Sequence, residues 1–269
     1  MLTPFRNEPY VNFSEPGPRK KMEEALKLVE SKLGRTYPLI IAGEHVETGR
    51  TFDSINPGNT DQVVGTFHKC TAELTVKALE AADAAFESWR FVPAEHRARY
   101  LLNAAQICRE RVFELCAWMV FEEGKNWLEA YADACEGIDF LEFYAREAVR
   151  YGRSGELTPW PGEENDYFYI PLGAGVAIPP WNFPFAIMAG ITVAPMMPMA
   201  MAGPMLPMPT ASATARTLAA SAEISMIRPP RCFKSKDQCS AVLTAAYPNT
   251  AVSPANMRAC MSPNRTSSP

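Results

Sequence analysis

The sequence predicts an α/β protein that opens with a small β-meander, continues through a layer of helices, and then enters the first strand of a parallel sheet before a tail with no core-forming pattern. Three observations carry this. Short β-branched and aromatic runs flank turn signals near residues 42–44 and 56–58. Between residues 71 and 147, apolar residues recur at helical spacing behind recognisable caps. Residues 173–185, GAGVAIPPWNFPF, read as a strand, a proline-stiffened turn and a helix start, the order in which open α/β sheets bind ligands beyond a strand's carboxyl end.

Residues 1–20 are polar and proline-bearing, as in an arm laid on a surface. Residues 20–33 (KKMEEALKLVESKL) space Met22, Leu26 and Val29 helically, with Gly34 as a stop. A strand over 37–46 is interrupted by Ala42-Gly43-Glu44, a hairpin signal, and short strands at 51–55 and 63–67 flank Asn56-Pro57-Gly58. Thr71 caps a helix that runs through Ala78, Ala82 and Phe86 to Trp89. Pro93 opens a second, apolar at Leu101, Ile107, Phe113, Leu115 and Val120 and ending near Gly124; Asn126 caps a third, with Ile138, Leu141 and Tyr144 in register. Glu110 and Glu114 repel at i,i+4, so packing must hold these helices.

Residues 152–165 read as a loop, and 166–172 (DYFYIPL) as a strand that Pro171 assigns to a sheet edge. Residues 176–178 follow as a short buried strand. Residues 187–195 read as an apolar helix, and the apolar run 186–197, left exposed, would favour aggregation.

A length of 269 residues suits one large or two ordinary domains, and a net charge of -4 gives no reason to expect a nucleic-acid or anionic-membrane partner. The N-terminal residues carry charges and prolines where a signal peptide needs an apolar run, and no run reaches the roughly 18 residues of a membrane span, so the expectation is a cytoplasmic protein. Seven cysteines without a C-x-x-C pair argue against a disulfide framework and a zinc site, and the three isolated histidines against other metal sites. Residues 1–195 hold 28 acidic and 19 basic side chains, whereas 196–269 hold 2 and 7, together with nine of the 13 methionines and two of the 28 aromatics. The two segments are different kinds of sequence: the second is expected to be disordered, because frequent prolines and Ala, Ser and Thr cannot build a dense core.

Within 173–185 two residue types have chemical uses. An asparagine amide, here Asn182, carries two donors that can face a developing oxyanion, and an indole, here Trp181, packs on a flat ring. Each has a plainer use, Asn182 as a turn residue bonding its own backbone and Trp181 as a core-edge aromatic. Cys108, Cys116 and Cys135 lie on helices and read as packing residues. His45, His68 and His96 read as surface or satisfied polar groups.

Five stretches together resemble the NAD(P)-dependent aldehyde dehydrogenase superfamily, and within it the bacterial L-glutamate gamma-semialdehyde dehydrogenase group. They are NPGN at 56–59, AAFESWR at 84–90, RARYLLNAA at 97–105, EEGKNWLEAYADACEGIDFLEFYARE at 122–147 and PLGAGVAIPPWNFPFAIMAG at 171–190. The resemblance covers residues 1–195. It implies the N-terminal portion of the aldehyde dehydrogenase fold, including the start of its Rossmann-like sheet. The implied partners are NAD, a small-molecule aldehyde and further copies of the chain, with no nucleic acid, membrane or metal. By resemblance Asn182 is the oxyanion stabiliser, and Ile178, Pro179, Pro180 and Trp181 border the nicotinamide half of the cofactor. Glu136 and Phe183 border the substrate, and residues 167–172 match an arm strand used in subunit pairing.

The family's nucleophile string G-Q-x-C, general-base string E-x-G-G-K and cofactor strings K-P-[AS] and F-T-G-S do not occur in these 269 residues. Asp237-Gln238-Cys239-Ser240 echoes the first, but at less than half the family's distance from Asn182. The expectation is a chain that does not turn over alone, with a non-family tail over 196–269 for which out-of-frame origin, by frameshift or assembly error, is favoured over a real alternative C-terminal domain.

Overall fold

A computed structural model describes residues 2–153, 157–171 and 173–196. The 196–269 tail therefore lies outside the described residues, apart from the backbone of Met196. No helix among the described residues is long and apolar enough to cross a membrane.

The β-meander forms as two small sheets. In one, β2 (Leu39–Ile41) and β3 (Glu44–Val46) pair antiparallel, with Ile41 opposite Glu44. The turn between them uses Ala42 at φ 52° and Gly43 at φ 80°, the two positive φ values a tight I′-type hairpin needs. In the other sheet β5 (Asn59–His68) is central, with β4 (Thr51–Asn56) antiparallel to it and β1 (Arg35–Tyr37) parallel. Asn56 bends the β4–β5 turn by accepting the Gly58 N–H through Oδ1 at 2.8 Å. Strand β1 was not legible as a separate element: it is three residues long and is defined by its parallel partner.

Helix α1 (Pro16–Glu30) begins four residues before the expected Lys20, because Pro16 can occupy the first helical position without losing a bond, and it runs out before Gly34 at φ 72°. Helix α2 (Ala72–Trp89) is capped as expected, the Leu74 N–H donating to Thr71 Oγ1 at 3.3 Å. The single helix expected from 93 to 124 is two, α3 (Ala94–Glu110) and α4 (Val112–Glu123), broken at Arg111 with φ -110° and ψ 15°. The break re-aims the chain: α3 packs on α5 (Trp127–Tyr151), whereas α4 packs against both α1 and α5. Glu114 is not left against Glu110, since Lys32 Nζ at 2.6 Å and Arg111 Nε at 3.0 Å take its carboxylate. Burial would raise this carboxyl, but the Arg111 and Lys32 hydrogen bonds outweigh it and hold the group below its ordinary range.

The core lies where the helices meet the meander, around Met22, Val64, Phe86, Leu101, Leu115 and Ile138. The N-terminal arm is tied down as expected. Asn7 Nδ2 and the Glu8 N–H donate to Asp139 at 2.7 and 2.8 Å, Arg109 donates to Glu8 at 2.6 Å, and the Phe13 ring meets Phe113, Trp127 and Tyr131 edge-on.

Two expected strands do not form among the described residues. Residues 166–171 carry no ladder and leave Tyr167, Phe168, Tyr169 and Ile170 exposed; Leu172 lies outside the described residues. Residues 176–178 likewise have no strand beside them, and Val176 and Ile178 are exposed rather than buried. The cause is the same for both: β propensity marks a segment suited to a sheet, and a strand exists only through its pairs. The apolar helix does form, as α6 (Ala186–Val193) with a 3-10 turn behind it, but it is largely buried, with Ile191 left exposed. Ala186, Met188, Ala189, Gly190 and Val193 are buried, and the helix packs on α5.

Candidate functional site

Residues 178–185 form a bent loop between an unpaired segment and α6, resting on the first half of α5. Pro179 and Pro184 are buried and fix its path, while Pro180, Trp181, Asn182 and Phe183 face outward. Behind the loop, Phe185 is fully buried, its ring against Gly137 of α5 so closely that a Cβ there would sit 2.3 Å from ring atom Cε1. Gly190 receives Phe140 in a similar way, with a would-be Cβ at 2.9 Å. Two glycines, one on each helix, thus let α5 and α6 approach.

Helix α6 has no local cap, since its N-cap residue is Phe185. The acceptor comes from α5: Asp133, fully buried, takes the Ala186 N–H on Oδ1 at 2.7 Å. Its other oxygen receives Lys125 Nζ at 2.6 Å. Burial raises the Asp133 carboxyl, against the hydrogen bonds from Lys125 and Ala186. The same ammonium lies 4.3 Å from the centre of the Phe183 ring, a cation–π contact. Glu136, one turn along α5, is exposed; burial and the nearby Asp133 and Asp139 raise its carboxyl, and Lys125 opposes them. Lys125 is therefore the common neighbour of Glu136 and Phe183.

Half-buried Glu123 belongs to the same group. Burial pushes its carboxyl up to about 7, with Lys125 opposing and Asp133 adding, and its Oε1 has no hydrogen-bond partner among the described residues.

The Asn182 amide is exposed and has no hydrogen-bond partner among the described residues. It is not the self-bonded turn asparagine of the plainer reading, and its two N–H donors are available. Of the expected cofactor-side residues, Ile178, Pro180 and Trp181 present an exposed apolar edge and Pro179 is the buried anchor beneath it.

The described cysteines are all free and none is an activated thiol. Cys108, Cys116 and Cys135 are buried, as expected of packing residues; desolvation pushes the Cys108 and Cys135 thiols up to about 12 and raises Cys116 as well. Cys70 is half-buried and also raised by burial, against a hydrogen bond to Thr75. Cys232, Cys239 and Cys260 lie outside the described residues. His68 is a satisfied polar group, accepting the Thr48 N–H on Nδ1 at 2.8 Å. No cluster able to hold a metal occurs among the described residues.

Sequence reasoning missed Lys125, Asp133 and Gly137. A signal was present: Ala130, Asp133, Ala134 and Gly137 share one face at i, i+3, i+4 and i+7, so a carboxylate sits on a small-residue, buried stripe and must have a partner. The uncapped start of α6 was the matching clue.

A family model described as "Aldehyde dehydrogenase family" matches residues 45–226. 1-Pyrroline-5-carboxylate dehydrogenase 1 of Halalkalibacterium halodurans is 50% identical over 195 residues, which cover 72% of this chain and 38% of that protein. The 1-pyrroline-5-carboxylate dehydrogenase of a Geobacillus species is 50% identical over 194 residues, with the same coverage. The chain thus spans well under half the length of the curated relatives it matches. A solved Thermus 1-pyrroline-5-carboxylate dehydrogenase with bound NAD is similar in fold, with a TM-score of 0.77 and 40% identity, covering 89% of this chain and 48% of that one.

Proposed function

The chain belongs to the aldehyde dehydrogenase family, and from that premise we propose that it carries the oxyanion side of an active site for the NAD-dependent oxidation of L-glutamate 5-semialdehyde to L-glutamate. The observation that carries this reading is the exposed amide of Asn182 at the end of the PPWN turn, which has no hydrogen-bond partner among the described residues. Such an amide can hold the oxygen of a carbonyl as it becomes tetrahedral, where a fixed donor is worth most. Phe183, next in the chain, and Glu136, across Lys125, offer an apolar and an anionic contact for a substrate that bears an ammonium and a carboxylate.

The apolar edge of Ile178, Pro180 and Trp181 suits one face of a nicotinamide ring. NAD, when bound, supplies the hydride acceptor. The chain's own contribution is to stack against that ring and shield it from water on this side.

Nucleophile and base are a different matter. The four described cysteines are protonated packing or half-buried thiols, and the family's nucleophile and base strings do not occur in the 269 residues. The reading therefore expects no NADH when the purified 269-residue chain is given glutamate semialdehyde and NAD. NADH formation by that chain would overturn the expected inactivity, and NADH formation that Asn182→Ala leaves unchanged would overturn the oxyanion role.

A second reading is favoured by the exposed aromatic run Tyr167, Phe168, Tyr169 and Ile170. Here the chain docks on an intact homologue through this segment. Co-expression with such a homologue followed by size-exclusion and pull-down is expected to recover both chains together; separate elution rejects it.

A further inference from the structure

Asn182 must be held in place if its amide is to meet a developing oxyanion; buried Pro179 and Pro184 fix the path of its loop on either side, but the end of the loop at α6 has no anchor of its own. Residues 178–185 form no helix or strand, and α6 begins at Ala186 without a local side-chain cap. Two side chains from elsewhere grip the chain just beyond Asn182. Lys125 lies against the Phe183 ring at 4.3 Å, and Asp133 holds the Ala186 N–H at 2.7 Å. They are bound to each other at 2.6 Å, with Asp133 wholly buried and Lys125 nearly so. The grip therefore spans four residues, 183–186, with buried Pro184 and Phe185 between its two ends.

We propose that Lys125 and Asp133 are positioning residues for Asn182, acting as a single buried latch that caps α6 from α5 and fixes the residue next to the oxyanion donor. Neither touches the reacting atoms. Asp133 replaces the missing N-cap, the role a Ser, Thr or Asp at the loop's end would otherwise fill. Lys125 neutralises that carboxylate, which could not stay ionised alone at such depth, and carries the constraint on to Phe183. Glu123 and Glu136 also face the latch, but neither bonds to the loop. The function assigned to the latch rests on the reading of Asn182 given above. Its existence does not, since it concerns the order of the loop in this chain and needs no turnover.

Removing one charge alone would strand the other, so the test compares two paired variants of the full 269-residue chain. Asp133→Asn with Lys125→Met is uncharged but keeps a side-chain oxygen for the Ala186 N–H. Asp133→Leu with Lys125→Met is also uncharged and lacks that acceptor. Amide hydrogen exchange read by mass spectrometry is expected to be at least 10-fold faster over residues 183–190 in the Leu pair than in the Asn pair, with equal protection over 94–108. The parent chain should be as protected over 183–190 as the Asn pair, or more so. Equal exchange over 183–190 in the two pairs overturns the proposal, because the acceptor then does nothing. Protection lost alike over 183–190 and 94–108, or failure of the Leu pair alone to fold, also overturns it, because the latch is then a support of the whole fold. If both pairs fail to fold, the uncharged pair cannot replace the latch even with its acceptor kept, and a loop-specific role is rejected.

Discussion

Asn182 illustrates what one residue can and cannot reveal. Its type and neighbours made it a candidate donor, and the structure adds that its amide is exposed and uncommitted among the described residues. Its supports were harder to read, because they are contacts between residues far apart in the chain. Gly137 is one. A methyl group there would meet the Phe185 ring at 2.3 Å, in a fully buried place with no slack. Gly137→Ala is expected to destabilise the chain by about 3 kcal/mol, seen as a lower urea midpoint. Ala42 is the opposite case. It holds φ 52° in a two-residue turn where asparagine is at ease, so Ala42→Asn is expected to add about 1 kcal/mol, measured by thermal unfolding. Glu123 gives the pH dependence. In the folded chain its carboxyl keeps its proton up to about 7, against an ordinary value of 4.5, because burial and Asp133 outweigh Lys125. The folded state thus binds more protons than the unfolded one between those values, and its stability falls as pH rises from 4.5 to 7. Glu123→Gln should remove this penalty, raising stability by about 1 to 2 kcal/mol at pH 8, after screening of a half-exposed group, and leaving it unchanged at pH 4. Urea midpoints at the two pH values check this.

At the scale of elements, the helices were legible where their ends are written locally. Thr71 and Asn126 cap α2 and α5 through their own side chains, the latter accepting the Glu129 N–H at 3.0 Å. Asn126→Ala is expected to cost about 1 kcal/mol and Asn126→Asp much less, by chemical denaturation. The break at Arg111 was hidden because α3 and α4 are both apolar on one side, and only their different partners require a bend. The strands divide the same way. The β2–β3 hairpin was readable from its turn, whereas β1 needed β5, and residues 166–171 and 176–178 remain unpaired despite sequences suited to strands. Helix α6 was readable as a helix but not as a buried one, since its cover is the glycine-bearing face of α5.

At the scale of the molecule, the family was legible from residues 56–190 because its motifs lie in short contiguous strings. The latch behind them was not, because it joins α5 to the start of α6 across more than 50 residues of chain. On the proposed reading the described residues present one wall: Asn182 as the donor, the apolar edge of Ile178, Pro180 and Trp181, and the buried Lys125–Asp133 pair beneath them. The proposed oxidation needs the opposite wall as well. Joining residues 1–195 to the remaining portion of the Halalkalibacterium relative would supply it, and the NADH formed from glutamate semialdehyde by that hybrid shows whether Asn182 holds the oxyanion. The hybrid is expected to turn over, with a fall in kcat of about 100- to 1000-fold for Asn182→Ala and KM for NAD little changed. A hybrid that turns over equally well with Asn182→Ala would show that this wall does not hold the oxyanion.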